Sequence, residues 1–599
     1  MRRLTLMTAL LGLTLLVAPM ALAARPKLTV APRYGKALMP CAWQPVTVTV
    51  TNPNDGAAFV GEVVLSQGTS EWHTPISLPA GASVATATLT FYERPEPWLQ
   101  HTVVLRSDRG EVLTSQSWSP AIKPDRLVRV LVVSNDGSAG QWERLNGNRS
   151  PVHKSAGRLI LPREQYQISS DHYLSIVAAT PSQLTELASD LDQFGIVALR
   201  EGVLLTETQN AAVERWVNAG GSLVKHNKST PPQLGESLQG NIHAWPKGTG
   251  GQMEVPGDWV PNLTSFVGPK NYVASLRSYG ISPGEEPSLR YTARQVLFPE
   301  VLQSSGVQAP PFSTIALFLG AYLIAVVPLQ YIILRRLDKR EWAWGTTPLL
   351  ACGFAVGAYV VGSQGRPRSI SYSCAAVVET TSGQTTGAAV ARFGLYSPSR
   401  ANFSLSAPTT DTVFFSTVGD QDSLSQLQTA GQPTKLMDFS VPQWAMRSVS
   451  LHTTNLSLGG GVAADLKREG EFLTGKVTNN TGKELTDVRV YCVQGAASFA
   501  RLAPGETQML RISCGDARTR IDWTNNASIA TNLYPLLAST LENCLDNGSD
   551  GVERRGEAMI TAFTSQELVP IKVEGGVAAP KVTNSLLIVH VPISADVYE

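Results

Sequence analysis

Residues 44–52 read QPVTVTVTN. Val46, Val48 and Val50 fall on one face and the threonines on the other, the period-two signature of a half-buried strand. PNDG at 53–56 is a turn signal, and VGEVVLS and LPAGASVATATLTF repeat the strand pattern after it. Short strands at this spacing predict an immunoglobulin-like β-sandwich over residues 25–124. The pattern then changes. RLVRVLVVSND (126–136) and HYLSIVAA (172–179) are near-continuous apolar runs, as expected of parallel strands buried on both faces. TPSQLTELASDLDQF predicts a helix with Thr180 as N-cap and Pro181 in its first position. GIVALR is a third strand. TETQNAAVERWVNAGG is a second helix with Thr206 and Gln209 as a capping box, and SLVKH is a further strand. This β-α-β-α-β order predicts a parallel sheet with crossover helices over residues 126–260.

After a connecting segment at 261–311, residues 312–334 form an uncharged stretch of 23 residues. That is enough to cross a hydrocarbon core of about 30 Å, with Pro328 as an expected kink. RRLDKRE (335–341) follows with four basic and two acidic residues. Residues 342–362, Gly-rich and uncharged, are the second span, with Trp342 and Trp344 placed for an aromatic belt. The positive-inside rule puts the short loop in the cytoplasm. The amino terminus supports the same orientation. Arg2 and Arg3 precede an apolar run, and Ala21-Leu22-Ala23 is a small-x-small site, so residues 1–23 read as a secretory signal peptide. Both large regions, including 363–599, are then expected outside the cytoplasm.

Beyond the hairpin, YSCAAVVETTSGQTTGAAVARFGLYS reads as paired strands around a polar loop. A second sandwich pattern, at about 456–515, echoes the first: GKVTNNTGKELTDVRVYC…LAPGET parallels VTVTNPNDGAAFVGEVVL…LPAGAS. Residues 527–545 predict a helix disturbed by Pro535, and a strand-rich stretch closes the chain. The fold class expected is therefore multidomain: an immunoglobulin-like sandwich, an α/β domain, a two-helix transmembrane hairpin and a β-rich carboxyl-terminal region.

The 599 residues carry a formal net charge of +1, which gives no basic footprint for nucleic acid. Only 16% are charged, against about 25% in ordinary soluble domains. Trp43, Trp72, Trp98 and Trp118 read as core or rim packing rather than a sugar platform. Cysteine use fits an oxidising compartment. Cys352 lies in the second span. Cys374, Cys492, Cys514 and Cys544 allow three pairings, among which Cys492–Cys514 joins two expected sandwich strands.

FGIVALREGVLLTETQNAAVERWVNAGGSLV resembles the class I glutamine amidotransferase-like domain, a flavodoxin-like α/β fold. The resemblance implies a nucleophilic cysteine on a strand-to-helix elbow, with a histidine and an acid nearby. There is no cysteine between Cys41 and Cys352, so the thiolate chemistry of that family is missing. No G-x-S-x-G elbow replaces it, and His153, His172, His226 and His243 lack metal-ligand spacing. GTGG (248–251) lacks the lysine of a phosphate loop and reads as a hairpin turn. Ligands of open parallel sheets bind at the carboxyl ends of the strands. The candidate rim there is Asn135, Asp136, Thr180, Arg200, Glu201, His226 and Asn227, with ordinary loop polarity as the alternative. The order of parts also resembles membrane-anchored bacterial envelope proteins of unassigned function.

These features predict a non-enzymatic, membrane-anchored extracytoplasmic protein, without cofactor or metal, that binds or scaffolds envelope proteins or cell-wall polymer. Its partners would be the lipid bilayer and one of those two, and no nucleic acid. The alternatives are an envelope hydrolase built on Asp136, Glu201 and His226, or an accessory subunit of a transport or secretion assembly.

Overall fold

The computed structural model describes residues 26–38, 42–52, 58–93, 100–122, 127–147, 173–191, 193–218, 221–227, 243–247, 250–256, 312–364, 369–415, 424–429, 432–492, 495–513, 557–574 and 579–593. The expected signal peptide, the connecting segment and the helix expected at 527–545 lie outside them. So do Cys514 and Cys544.

The chain is strand-rich, and its sheets do not respect the boundary set by the apolar helices. Strands Lys27–Pro32, Ala42–Thr51 and Val84–Glu93 form a three-stranded antiparallel sheet. In it Val46, Val48 and Val50 are buried while Thr47 and Thr49 are half-buried. Opposite lie Ser70–Leu78, Phe59–Gln67, His101–Ser107 and Val112–Trp118. These four belong to an eight-stranded sheet whose other half comes from beyond the apolar helices, and we call it the shared sheet. The junction is a parallel pair: Ser425, Gln426 and Leu427 align with Glu71, Trp72 and His73. Glu71 N donates to Leu424 O at 2.7 Å, and Gln428 N donates to His73 O at 2.8 Å. The Gln428 side chain completes the stitch, accepting from Thr90 N and donating to Thr90 O.

A second eight-stranded sheet, the central sheet, runs through the carboxyl-terminal region. Its strand Ser371–Thr381 is buried along nearly its whole length. Tyr372, Cys374, Ala376 and Val378 face the carboxyl-terminal core. Ala375 and Val377 face the core of Val46, Val63, Trp72 and Phe91. A strand buried on both faces need not alternate, which explains the run of small and β-branched residues. The three strands Val462–Glu469, Phe472–Asn479 and Thr507–Ser513 make a smaller sheet whose apolar face joins the carboxyl-terminal core. The strands within 456–515 divide between this small sheet and the central sheet, where Leu485–Cys492 and Gly495–Leu502 lie beside Glu557–Thr564 and Ala579–Pro592 from the far carboxyl-terminal stretch.

The segment from Leu127 to Pro256 contains a six-stranded sheet. Leu127–Val133 lies between Tyr173–Ala179 and Ile196–Leu199, followed outward by Ser222–Asn227 and Gly250–Pro256, all parallel. His243–Lys247 closes the edge antiparallel, with Lys247 opposite Gly250. The helix Glu207–Asn218 begins at the expected capping box: Gln209 N donates to Thr206 Oγ1 at 3.2 Å, and Thr206 N donates to Gln209 Oε1 at 3.1 Å. The other expected helix does not form. Residues 180–191 carry two short 3-10 turns, Pro181–Gln183 and Ala188–Leu191. Here side chains compete for backbone partners. Thr185 Oγ1 accepts from Leu187 N, and Asp411 from another part of the chain accepts from Ala188 N.

Two helical stretches, Phe312–Arg336 and Arg340–Val360, are long and apolar enough to cross a membrane. Pro328 sits in a π-helical turn, Ala325–Leu329, which accommodates its missing N–H. Phe318 and Tyr322 pack edge-on against Phe354, at ring-centroid separations of 5.4 and 5.2 Å. Near the connecting loop, Gln330 Nε2 donates to Thr346 Oγ1 at 2.6 Å and Thr347 Oγ1 at 2.9 Å.

Candidate functional site

The rim is built by the loops that leave the carboxyl ends of the parallel strands. The first of these, from Ser134 to Leu145, folds back over the strand ends and finishes in a 3-10 turn, Gly140–Leu145. Two glycines make this possible. Gly137 and Gly140 have φ of +67° and +56°, and a Cβ on Gly140 would lie 3.1 Å from the Arg200 guanidinium.

Most rim residues are tied to protein groups. Asn135 Nδ2 donates to Gly202 O at 3.0 Å. Asp136 accepts from Ser138 Oγ at 2.7 Å and Ser138 N at 3.1 Å, and Arg200 Nη1 lies 3.6 Å from its carboxylate. These bonds, those from the serine side chains first, hold the carboxyl down at about 2. An acid that ionises so readily is a poor proton donor or acceptor near neutral pH. Arg200 also donates to Ser138 Oγ at 3.1 Å. Thr180 sits at the start of the 3-10 turn and meets Ser182 and Gln183. His226 is buried, and its Nε2 accepts from Trp142 Nε1 at 3.1 Å. That bond makes Nε2 the acceptor and so selects the tautomer with the proton on Nδ1. Glu201 is exposed in the turn with Gly202. Asn227 ends its strand, and its side chain lies outside the described set. The structure thus joins Asp136 to Arg200 through Ser138, and gives His226 a different partner, Trp142. Ser138 and Trp142 were not among the sequence candidates; only their place in the loop after the first strand pointed to them.

A denser polar assembly lies where the segment carrying the six-stranded sheet meets the amino-terminal strands. Asp190 is buried and accepts from Thr90 Oγ1 at 2.6 Å and Thr185 Oγ1 at 2.5 Å. Burial pushes its carboxyl up. Asp411, equally buried, accepts from Arg215 Nε at 2.5 Å and Ala188 N at 3.2 Å. Arg129, in the middle of an apolar strand, donates to Gln193 Oε1 and to Tyr34 O, and burial lowers its guanidinium to about 10. Tyr34 Oη accepts from Thr185 N at 2.9 Å. These residues come from three parts of the chain, and Arg129 was the visible signal: a charge inside a buried strand needs a partner.

Among the described residues no group of three or more His, Cys, Asp or Glu side chains is placed to hold a metal ion. Cys374 is a free thiol, pushed up to about 12 by burial. The side chain of Cys492 and all of Cys514 lie outside the described residues. Trp43 and Trp72 are core residues, and Trp118 packs against His101 and Phe91. On the apolar helices, Phe318, Leu349, Leu350, Gly353, Phe354 and Gly357 line a groove of about 360 Å³.

Comparison with known proteins adds little chemistry. Residues 461–595 match the model of a domain of unknown function, DUF8725. This region spans the small three-stranded sheet and the last strands of the central sheet. No protein of curated function matches the chain. Among solved structures, the chain is compared with the yeast delta-COP-I mu-homology domain complexed with a Dsl1 WxWxV peptide, at 8% identity over 37% of this chain and 96% of that one, with a TM-score of 0.19. Red sea bream transglutaminase gives 9% identity over 93% and 96% of the two chains, with a TM-score of 0.12. A β-glucosidase from Kluyveromyces marxianus gives 9% identity over 79% and 45%, with a TM-score of 0.08. TM-scores this low carry no argument about fold or function.

Proposed function

We propose that this chain is a membrane-anchored, non-enzymatic protein of the cell envelope. One composite β-body would stand outside the cytoplasm on a helical hairpin and bind or scaffold an envelope protein or cell-wall polymer. The observation that carries the reading is the shared sheet. Strands on the two sides of the apolar helices are hydrogen-bonded to each other at Glu71–His73 and Ser425–Leu427. Segments paired in one sheet must share one compartment, so the chain between them crosses a membrane an even number of times. Two helices of sufficient length and apolarity meet that condition, and the basic residues of the 335–341 loop favour the cytoplasm for their connection.

The α/β segment enters this reading as an amidotransferase-like domain without its nucleophile. Its five parallel strands, numbered in chain order among themselves, lie 2-1-3-4-5 across the sheet, in keeping with the flavodoxin-like order. The rim above them is occupied by its own hydrogen bonds, which supports a structural role over a catalytic one. Crosslinking in native membranes, followed by purification and mass spectrometry, tests the proposal. A reproducible stoichiometric envelope partner, or attached wall polymer, is the expected result. Recovery of the chain alone, with hydrolysis of a glycan or peptide that is lost in Asp136→Asn or His226→Ala, would overturn it in favour of an enzyme.

A further inference from the structure

The end of the β-body that meets the apolar helices carries two adjoining turns. In the central sheet Ser371 aligns with Tyr396 and Ser397 with Ala445. In the shared sheet Ala401 aligns with Val441. The turns at 398–400 and 442–444 therefore emerge side by side, at the end where the chain arrives from the second apolar helix. That helix ends at Gln364 and the strand begins at Ser371. Seven steps of extended chain reach at most about 25 Å, so this end is tethered close to the helix.

Trp444 goes further. Its ring lies 5.2 Å from that of Tyr359, at an interplanar angle of 49°. Tyr359 is five residues before the helix end, about 7–8 Å back along the axis. The turn therefore overlaps the last turns of the helix instead of standing above them. Trp444 also has φ of +56°, a conformation costly for a bulky residue and natural for glycine. The turn is fixed by Trp444 N donating to Ser397 O at 2.9 Å and Ala445 N donating to Pro442 O at 3.3 Å. A large indole held at a glycine-like position, with Pro442 and Gln443 exposed beside it, calls for a reason outside the turn. Tryptophan is favoured where one side is apolar and the other wet. Arg400 is exposed on the adjoining turn, and Arg366 and Arg368 lie in the connecting sequence.

We propose that this end of the β-body seats in the membrane–water interface, with Trp444 at headgroup level and Arg400 facing anionic phospholipid. The proposal rests on the reading that the apolar helices cross a membrane. The test uses the full chain in vesicles of phosphatidylcholine with or without phosphatidylglycerol, with a photo-crosslinking amino acid in place of Val356, Gln443 or Gln384. Val356 is on the helix, and Gln384 is in the exposed turn at the far end of the strand that begins at Ser371. Lipid adducts at Val356 and Gln443 but not at Gln384 are expected. Trp444→Gly, which relaxes the backbone, should cut the Gln443 yield severalfold. Adding phosphatidylglycerol should raise that yield, except in Arg400→Gln. Adducts at Val356 without any at Gln443 would overturn the seating while leaving the membrane reading intact. No adduct at Val356 would overturn the membrane reading and the seating with it. Equal Gln443 yields in the two lipids would overturn the role given to Arg400.

Discussion

Arg215 and Asp411 should respond unequally to mutation. The Asp411 side chain has no exposure, whereas that of Arg215 is 22% exposed. Arg215→Met leaves a carboxylate buried with, among the described residues, only Ala188 N to answer it. Removing one partner of a buried pair in this way costs about 3–5 kcal/mol. Asp411→Asn keeps an acceptor for Ala188 N, and the freed guanidinium can turn toward water. That change should cost about 1–2 kcal/mol, the scale of one hydrogen bond. The two residues join the helix Glu207–Asn218 to the turn before strand Thr412–Phe415. The loss should therefore show first as local opening of residues 185–191 and of the helix. Hydrogen exchange read by mass spectrometry on the detergent-solubilised chain reports this directly. Arg215→Met should speed exchange in these segments by about a hundred- to a few thousandfold, and Asp411→Asn by about five- to thirtyfold. Burial already pushes the Asp411 carboxyl up, so the Arg215→Met effect should shrink in acid as the orphaned carboxyl takes a proton. Equal effects of the two variants, or an Arg215→Met effect that grows in acid, would refute the reasoning.

Asp190 carries a pH dependence of its own. Its folded carboxyl is raised by burial above the ordinary aspartate value, so the folded state binds the proton more tightly. Its contribution is complete below the unfolded value of about 3.9 and is lost as pH rises through the raised folded value. Melting of Asp190→Asn relative to the parent should accordingly shift in favour of the variant between acid and neutral pH. Gly475 has φ of +151°, and a Cβ there would lie 2.0 Å from Asp465 O. Gly475→Ala should cost of order 1–3 kcal/mol, seen as a lower melting temperature of the β-body. Gln330→Leu removes the side-chain link to Thr346 and Thr347 and should loosen the packing of the two apolar helices by about 0.6–2 kcal/mol, measurable as a larger spin-label separation between them.

What the sequence made legible was local. The Val46, Val48 and Val50 alternation, the apolar run around Val130–Val133, and the Thr206–Gln209 box each appear where a short-range pattern places them. The misses have physical causes. The helix expected from Thr180 gives way because Thr185 and Asp190 spend their oxygens on backbone, on each other and on Thr90 of the amino-terminal sheet. The pairing of Ser425–Leu427 with Glu71–His73 involves three residues on each strand, more than 350 positions apart in the chain. No periodicity announces such a contact. Of the rim, its place at the strand ends was readable, but not the loop that folds over it, because that depends on Trp142 finding His226.

The central claim is that the chain on both sides of the apolar helices builds one body in one compartment. Single cysteines at Val84, Met509 and Asp338, in a variant whose six native cysteines are replaced, test it most directly. All three positions are exposed, and an impermeant thiol reagent is applied to sealed, oriented membranes. The account predicts that positions 84 and 509 label together from one side and position 338 only from the other. Labelling of 84 and 509 from opposite sides would contradict it.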